Sequence, residues 1–336
     1  MGKHFFIVGS GRCGTKMLRN MLILHPKINI LVETHFLPKL YDLYGLESIT
    51  FEDYFSVVAN HYDSKGNNWI YNILKSEDKE YDNFKQHFKK FCKKTAKGNI
   101  VDYTEKLQEY IYGKGDYLVG DKTPHYGTIM KTLKKMWPEA KFIHIVRDGV
   151  YASKSMTSHP GFIKMINEGL SPTNLDRCTY KGDIINGKCN PVGVKKAARF
   201  WENIMLKICE QKELISKNDY YEIKYEDLLY NPSKYLYEIA NFLDVTSNEL
   251  WLKESSAIPK PFYLFKMDQQ ISNKKYQEVY SKIANTMKKF GYPLDEKYYK
   301  ALRLKEIWRS LDYGKQRLFT FKEKFFSKIK KQFFQN

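Results

Sequence analysis

The chain predicts an α/β fold: a three-layer sandwich with a central parallel sheet, helices on both faces and helical insertions. Three observations carry this. Short apolar runs of strand length end in polar turns, several of them glycine-bearing. A segment of helical periodicity follows each run, so strands and helices alternate as in βαβ units. The first run opens into GSGRCGTKM (residues 9–17) and then a helix, the context in which a phosphate-binding loop is credible.

In chain order, KHFFIV is a continuous apolar run and reads as a buried parallel strand. TKMLRNMLILHP carries Met17, Leu18, Met21, Leu22 and Leu24 at helical spacing and stops at Pro26. INILVETHFLPKLYDLYG supplies a second strand to about Val32, a polar turn and a helix. From Ser48 to Lys114 the chain is helical and lysine-rich with no clear motif, and is expected to be an insertion. DYLVGDKTPHY is a third strand ending in a Gly-Asp-Lys-Thr-Pro turn, and TIMKTLKKMWPEA an amphipathic helix. KFIHIVRDGVYASKSM reads as strand, turn and helix. Residues 157–193 hold several Gly, Pro and Asn without periodicity and are expected to form a long loop at the site. VKKAARFWENIMLKICEQKELI is a long helix, DYYEIKYEDLL a last strand and NPSKYLYEIANFLDV another helix. Residues 1–295 are read as one domain and 296–336 as a basic helical extension. Ligands of such sheets bind at the carboxyl ends of the strands.

Composition narrows the classes. A hydrophobic content of 43% and an aromatic content of 15% exclude a wholly disordered chain. The excess of 56 Lys+Arg over 38 Asp+Glu gives +18, which suits an anionic ligand, peptide, glycan, nucleic acid or membrane. The lysines are spread along the chain with no RNP-like or helix-turn-helix pattern, so nucleic acid is not the expected partner. The first strand begins within five residues of Met1 and no apolar run approaches about 18 residues, so a cytoplasmic chain without a membrane span is expected. The five cysteines make no CxxC and no zinc spacing, so reduced thiols and no metal site are expected. Cys178 and Cys189 bracket CTYKGDIINGKC and pose the one candidate pair.

GSGRCGTKM departs from the P-loop G-x-x-x-x-G-K-[ST]. Gly9 and Gly14 have its spacing, but Thr15 stands where lysine belongs, Lys16 comes one place late and Arg12 lies inside the loop. Backbone N–H groups from Gly11 through Cys13 to Thr15 converge on a helix start, where the dipole favours an anion. Arg12 brings a planar fork suited to tetrahedral oxyanions. In HIVRDGVYASKSM, Arg147 leaves a strand end, Asp148 can cap the next helix and Ser155 lies two turns along it, so Arg147 and Ser155 can approach one anion. Taken singly, each motif also fits an ordinary turn with a surface arginine. Together they suggest a ligand with phosphate-like groups at both ends of a nucleoside.

With these motifs in order, the sequence resembles the sulfotransferases that use 3′-phosphoadenosine 5′-phosphosulfate (PAPS). It is most similar to the branch of tyrosylprotein and Golgi-type carbohydrate sulfotransferases and their bacterial relatives. The likeness covers roughly residues 1–35, 117–156 and 192–245, with an echo in KKFGYP near 289. It implies that GRCGTK is a P-loop-like 5′-phosphosulfate loop, Cys13 and Lys16 replacing a Ser and a Thr of the family pattern. It implies that Arg147 and Ser155 hold the 3′-phosphate in a cationic pocket separate from that of Arg12, and that YEDLLYNP places Tyr225 near the nucleotide. The resemblance makes Glu33, in VETH, the base that takes the acceptor's proton, with His35 as rival. It assigns Lys122, in GDKTP, to the leaving-group oxygens, with Asp121 orienting Lys122 or assisting the acceptor. No metal is required on this reading, because Arg12, Lys122 and the loop amides neutralise the transferring group.

The implied acceptor is a hydroxyl on an acidic peptide, a glycan or a lipid-linked sugar, with the insertion at 48–114 shaping its site. A nucleotide or small-molecule kinase is the rival enzyme; it would need lysine after Gly14 and an acidic Mg²⁺ ligand, for which Asp121 is the candidate. In the tail, Leu318, Phe325, Phe326, Ile329 and Phe333 recur at helical spacing with lysines opposite. Residues 315–334 thus read either as a basic helix lying on the inner face of a membrane or as a terminal helix packed on protein.

Overall fold

The computed structural model describes residues 4–62, 68–77, 79, 82–92, 97–169, 190–259 and 271–294. Strands β1 (His4–Val8), β2 (Ile28–Val32), β3 (Leu118–Lys122), β4 (Lys141–Val146) and β5 (Tyr220–Lys224) form one sheet in the order β2-β3-β1-β4-β5. Every pairing is parallel. The central strands β1 and β4 are buried on both sides because alternate residues feed two cores. Phe6 and Val8 of β1, with Phe142 and Val146 of β4, enter one; Phe5 and Ile7, with Ile143 and Ile145, enter the other. This is why the runs are continuously apolar instead of alternating.

The second core is covered by α1 (Thr15–Leu22), α11 (Tyr225–Tyr230), α12 (Pro232–Phe242) and α13 (Glu249–Ser256). The first is covered by α7 (Met130–Met136), α8 (Gly149–Met156), α9 (Pro160–Asn167), α10 (Val194–Lys212) and α14 (Asn273–Lys289). It extends into α2 (Leu37–Tyr44), α3 (Phe51–Val58), α4 (Trp69–Ser76), α5 (Phe84–Phe91) and α6 (Ile100–Tyr112). Helix, sheet and helix make the three layers. Asn99 and Asp102 form a capping box at the start of α6, and Thr50 and Asp53 do so for α3, which gives these helices definite starts.

Three segments differ from their sequence reading. In the third strand, Gly120, Asp121 and Lys122, expected in a turn, pair with Ile30, Leu31 and Val32 as part of β3. The stretch 157–193, expected as a loop, contains α9. Pro160 occupies its first turn, and Phe162 and Ile166, four apart, are both buried in the first core. The last strand does not continue through YEDLL. It stops at Lys224, opposite Val146 where β4 itself ends, and Tyr225–Tyr230 turn helical with Glu226 and Asp227 in the first turn. Cys178, Cys189 and residues 296–336 lie outside the described residues; Cys13, Cys92 and Cys209 are free thiols. Among the described residues, no helix is long and apolar enough to cross a membrane.

Candidate active site

With β1 central, the sheet carries β3 and β2 on one side and β4 and β5 on the other, so the connections diverge at the carboxyl end of β1, the place where sheets of this kind bind ligands. Arg12, Glu33, Lys122, Arg147, Ser155 and Tyr225 each lie at a strand end there or on the element that follows. The loop after β1 is tied to the turn after β3 by Gly9 N–H donating to Pro124 C=O at 2.8 Å. Its backbone is left-handed at Gly11 (φ 76°), Arg12 (φ 53°) and Gly14 (φ 101°). A Cβ on Gly14 would lie 2.4 Å from the Tyr225 ring, and one on Gly11 would lie 2.4 Å from the Phe162 ring, so no side chain fits either place. No side chain caps α1 and its first turn holds no acidic residue, which leaves the amides at Thr15 suited to an anion. Lys16 is exposed. Cys13 is fully buried in the second core and burial pushes its thiol pKa up, so only its backbone can serve the loop.

Four predicted residues meet in one cluster. Arg12 Nε donates to Ser155 Oγ at 3.1 Å, and Arg147 Nη1 donates to the Arg12 carbonyl at 2.7 Å. The Arg147 guanidinium lies 5.0 Å from the centre of the Tyr225 ring, a cation–π placement. Arg12 was expected in a pocket apart from Arg147 and Ser155, and the structure joins them instead. Its long side chain, leaving a left-handed backbone position, reaches the Ser155 hydroxyl. Burial, and next the charge of Arg147, lower the Arg12 pKa; Cys13 and Glu33 act in the other direction.

The second cluster sits where β2 and β3 end together, Val32 opposite Lys122. Glu33 N–H donates to Lys122 C=O at 3.2 Å. One Glu33 carboxylate oxygen pairs with the Lys122 ammonium, whose side chain is 5% exposed; the other lies 3.2 Å from His35 Nε2. Burial opposes ionisation of Glu33, but Lys122 and His35 outweigh it and hold the carboxyl below the usual carboxylate range. His35 stands beside the Trp69 ring of α4, centroids 4.3 Å apart, so the insertion reaches the site.

Glu33 and His35 are both left-handed, at φ 32° and 49°, which costs about 1–3 kcal/mol each. A buried hydroxyl network holds that bend. Thr34 Oγ1 donates to Asp121 Oδ2 at 2.6 Å and lies 2.7 Å from Tyr126 Oη, while Thr123 Oγ1 donates to Asp121 Oδ1 at 2.6 Å. Both Asp121 oxygens thus accept from threonines, and the bond from Thr34 ties Asp121 to the bend after Glu33. Burial pushes Asp121 up to about 6. Thr34, Tyr126 and Thr123 were not singled out from the sequence, since only the fold brings VETH and DKTPHY together. His125, next in that turn, has its pKa lowered by burial to about 4 and packs edge-on against Phe162, so its imidazole is neutral near pH 7.

A model of the sulfotransferase family matches residues 4–249, and the chain belongs to that family. Protein-tyrosine sulfotransferase A of Caenorhabditis elegans is 21% identical over 263 residues, 77% of this chain and 54% of that protein. An omega-hydroxy-beta-dihydromenaquinone-9 sulfotransferase of Mycobacterium tuberculosis is 29% identical over 134 residues, 39% of this chain and 30% of that protein. The chain therefore spans about half the length of the first relative and under a third of the second. Among solved structures, the sulfotransferase domain from the curacin biosynthetic pathway shares the fold at a TM-score of 0.51 and 18% identity, over 84% of this chain and 98% of that one.

Proposed function

We propose that this protein transfers the sulfuryl group of PAPS to the hydroxyl of an acceptor. The observation that carries the proposal is the Glu33–Lys122 pair, set beside a loop whose amides and helix start suit an anion. In this reading the loop from Gly11 to Lys16 cradles the 5′-phosphosulfate, and Arg147, Ser155 and the Tyr225 ring take the 3′-phosphate end. Arg12 lies between the two groups, bonded to Ser155 and near enough to Glu33 to be influenced by its charge. The acceptor oxygen attacks sulfur in line as Glu33 takes its proton. The bond from sulfur to the bridging oxygen breaks, and its electron pair stays on the 5′-phosphate, where Lys122 meets the growing charge.

The acceptor is a peptide tyrosine, a saccharide or a lipid-linked sugar, and the net charge of +18 suits an acidic one. The two relatives are named for a protein tyrosine and for an omega-hydroxylated menaquinone, both of them hydroxyl carriers. Transfer of radiolabelled sulfate from PAPS to a panel of peptide, sugar and lipid hydroxyls tests this; label on none of them removes the proposal. The desulfonated product, 3′-phosphoadenosine 5′-phosphate (PAP), should raise Tm by about 5 °C in EDTA at a hundredfold excess over Kd, whereas Mg·ATP in a parallel sample without EDTA should not. Arg147→Ala should weaken PAP about 10- to 100-fold, the loss of a charge-assisted phosphate contact, with a smaller change in kcat. An unaltered PAP affinity in that variant would take Arg147 out of the nucleotide site.

A further inference from the structure

The turn that carries Arg147 is held from behind by a buried acidic network in which the motif reading gave no part to the glutamate of YEDL. Glu226 is 6% exposed. Its Oε1 accepts the Asp148 N–H at 3.2 Å, the amide of the peptide bond directly after Arg147. Its Oε2 accepts the Tyr292 hydroxyl at 2.6 Å. Tyr225, the preceding residue, presents its ring to the Arg147 guanidinium, so two consecutive residues hold Arg147 at its backbone and at its tip. Asp148 caps α8 by accepting from Val150 and Tyr151 at 2.9 and 3.2 Å, and receives the Tyr276 hydroxyl at 2.6 Å. Ser155 is borne on that same helix.

Tyr292 has two acceptors for one proton: Glu226 Oε2 at 2.6 Å and the Val146 carbonyl at 3.3 Å. An ionised Glu226 takes that proton's hydrogen bond. A protonated Glu226 donates to Tyr292 Oη instead, and the tyrosine hydroxyl turns to Val146, the last residue of β4. The network has two complete hydrogen-bonding arrangements that differ by one proton and one negative charge behind Arg147.

We infer that Glu226 is a positioning residue for the 3′-phosphate, and that its protonated form is the one that favours the nucleotide. The inference rests on the proposed PAPS reading. An ionised Glu226 puts a second carboxylate beside Asp148, and together they offset the positive field that Arg147 offers a phosphate dianion. Protonation removes one of those charges while the Asp148 amide keeps its acceptor. Among the described residues, the other charged or titratable groups at this cluster include Arg147, Tyr225, Tyr276, Tyr292, Tyr280 and Lys224. The Tyr280 hydroxyl donates to the Tyr292 carbonyl at 2.8 Å and its ring packs on Tyr276. The Lys224 ammonium lies 4.9 Å from the centre of the Tyr292 ring and donates to Gly291 C=O at 2.6 Å. Burial, and the Asp148 charge against the bond from Tyr292, raise Glu226 to about 7, so the change falls in an accessible range. A phosphate bound at Arg147 adds negative charge nearby, and by linkage binding takes up a proton.

PAP affinity measured calorimetrically between pH 6.5 and 8.5, where the phosphates stay largely dianionic, tests the inference. Wild-type Kd is expected to weaken about fivefold across that range as Glu226 loses its proton. Glu226→Gln imitates the protonated carboxyl, with its oxygen for the Asp148 amide and its NH₂ for Tyr292 Oη. It should show a flat profile and bind tighter than wild type at pH 8.5. Tyr292→Phe removes a donor to the ionised carboxylate, so its profile should be inflected at higher pH than that of wild type. If both variants reproduce the wild-type pH profile, the inference is overturned and the PAPS reading stands. If wild type binds no PAP at any pH, both fall.

Discussion

Glu33→Gln is expected to lower kcat about 10²–10⁴-fold, the usual loss on removing a general base, with PAP affinity nearly unchanged. Glutamine keeps the shape and an acceptor oxygen for Lys122, so the bend between β2 and α2 should persist. What it loses is the capacity to take a proton. A carboxylate held below its usual range by Lys122 and His35 is a weak base while both stay paired to it. In the proposed mechanism, however, Lys122 has two demands on its ammonium, Glu33 and the leaving oxygen. As charge builds on the leaving oxygen, the ammonium shifts toward it, one Glu33 oxygen is released and its basicity rises in step with the reaction. The depressed pKa also keeps Glu33 ionised: the acid limb of the pH–kcat profile should lie below the ordinary glutamate value near 4.3 and should vanish in the glutamine variant. Near-normal turnover in Glu33→Gln would leave His35, 3.2 Å away, as the base.

Much of this site was legible because it depends on chain order at strand ends. A glycine loop after an apolar run, an arginine leaving a strand with an aspartate to cap the next helix, and a carboxylate after Val32 are local patterns, and a parallel sheet collects strand ends at one edge. The direction of Arg12 was not legible. A left-handed non-glycine residue is invisible in the letters, and φ 53° at Arg12 places its side chain with Ser155. The partners of Asp121 and Glu226 were hidden for another reason. Each buried carboxylate finds its partners on other segments, Thr34 for the first, Asp148 and Tyr292 for the second. The helical start at Tyr225 was readable, since Glu226 and Asp227 in succession suit a first turn, but the apolar and aromatic residues of DYYEIKYEDLL favour a strand by propensity. The end of β4 at Val146 decided the matter by removing the pairing partner.

Lys122→Met should act twice. Loss of a preorganised cation at the leaving oxygen is expected to lower kcat about 10²–10³-fold. The same change leaves the Glu33 carboxylate, 27% exposed, with His35 as its remaining ion partner in the cluster. Desolvation, which already opposes ionisation, then meets less opposition, so the Glu33 pKa rises and the acid limb of the pH–kcat profile moves upward. Stability follows the same proton. A carboxylate with a depressed folded pKa contributes stability that is present above its unfolded value near 4.3 and lost as pH falls through the folded value. Breaking a largely buried pair should therefore destabilise the variant by about 3 kcal/mol at pH 7, with the gap to wild type narrowing toward pH 4 and below. Urea melts at those two pH values read this directly. The double variant Glu33→Gln, Lys122→Met removes the stranded charge and should recover most of the stability at pH 7 while remaining inactive, because stability depends on charge balance and turnover on the groups themselves. If Lys122→Met is destabilised equally at both pH values, packing of the lysine stem is what β3 loses, and the ion pair is not what holds the ends of β2 and β3 together.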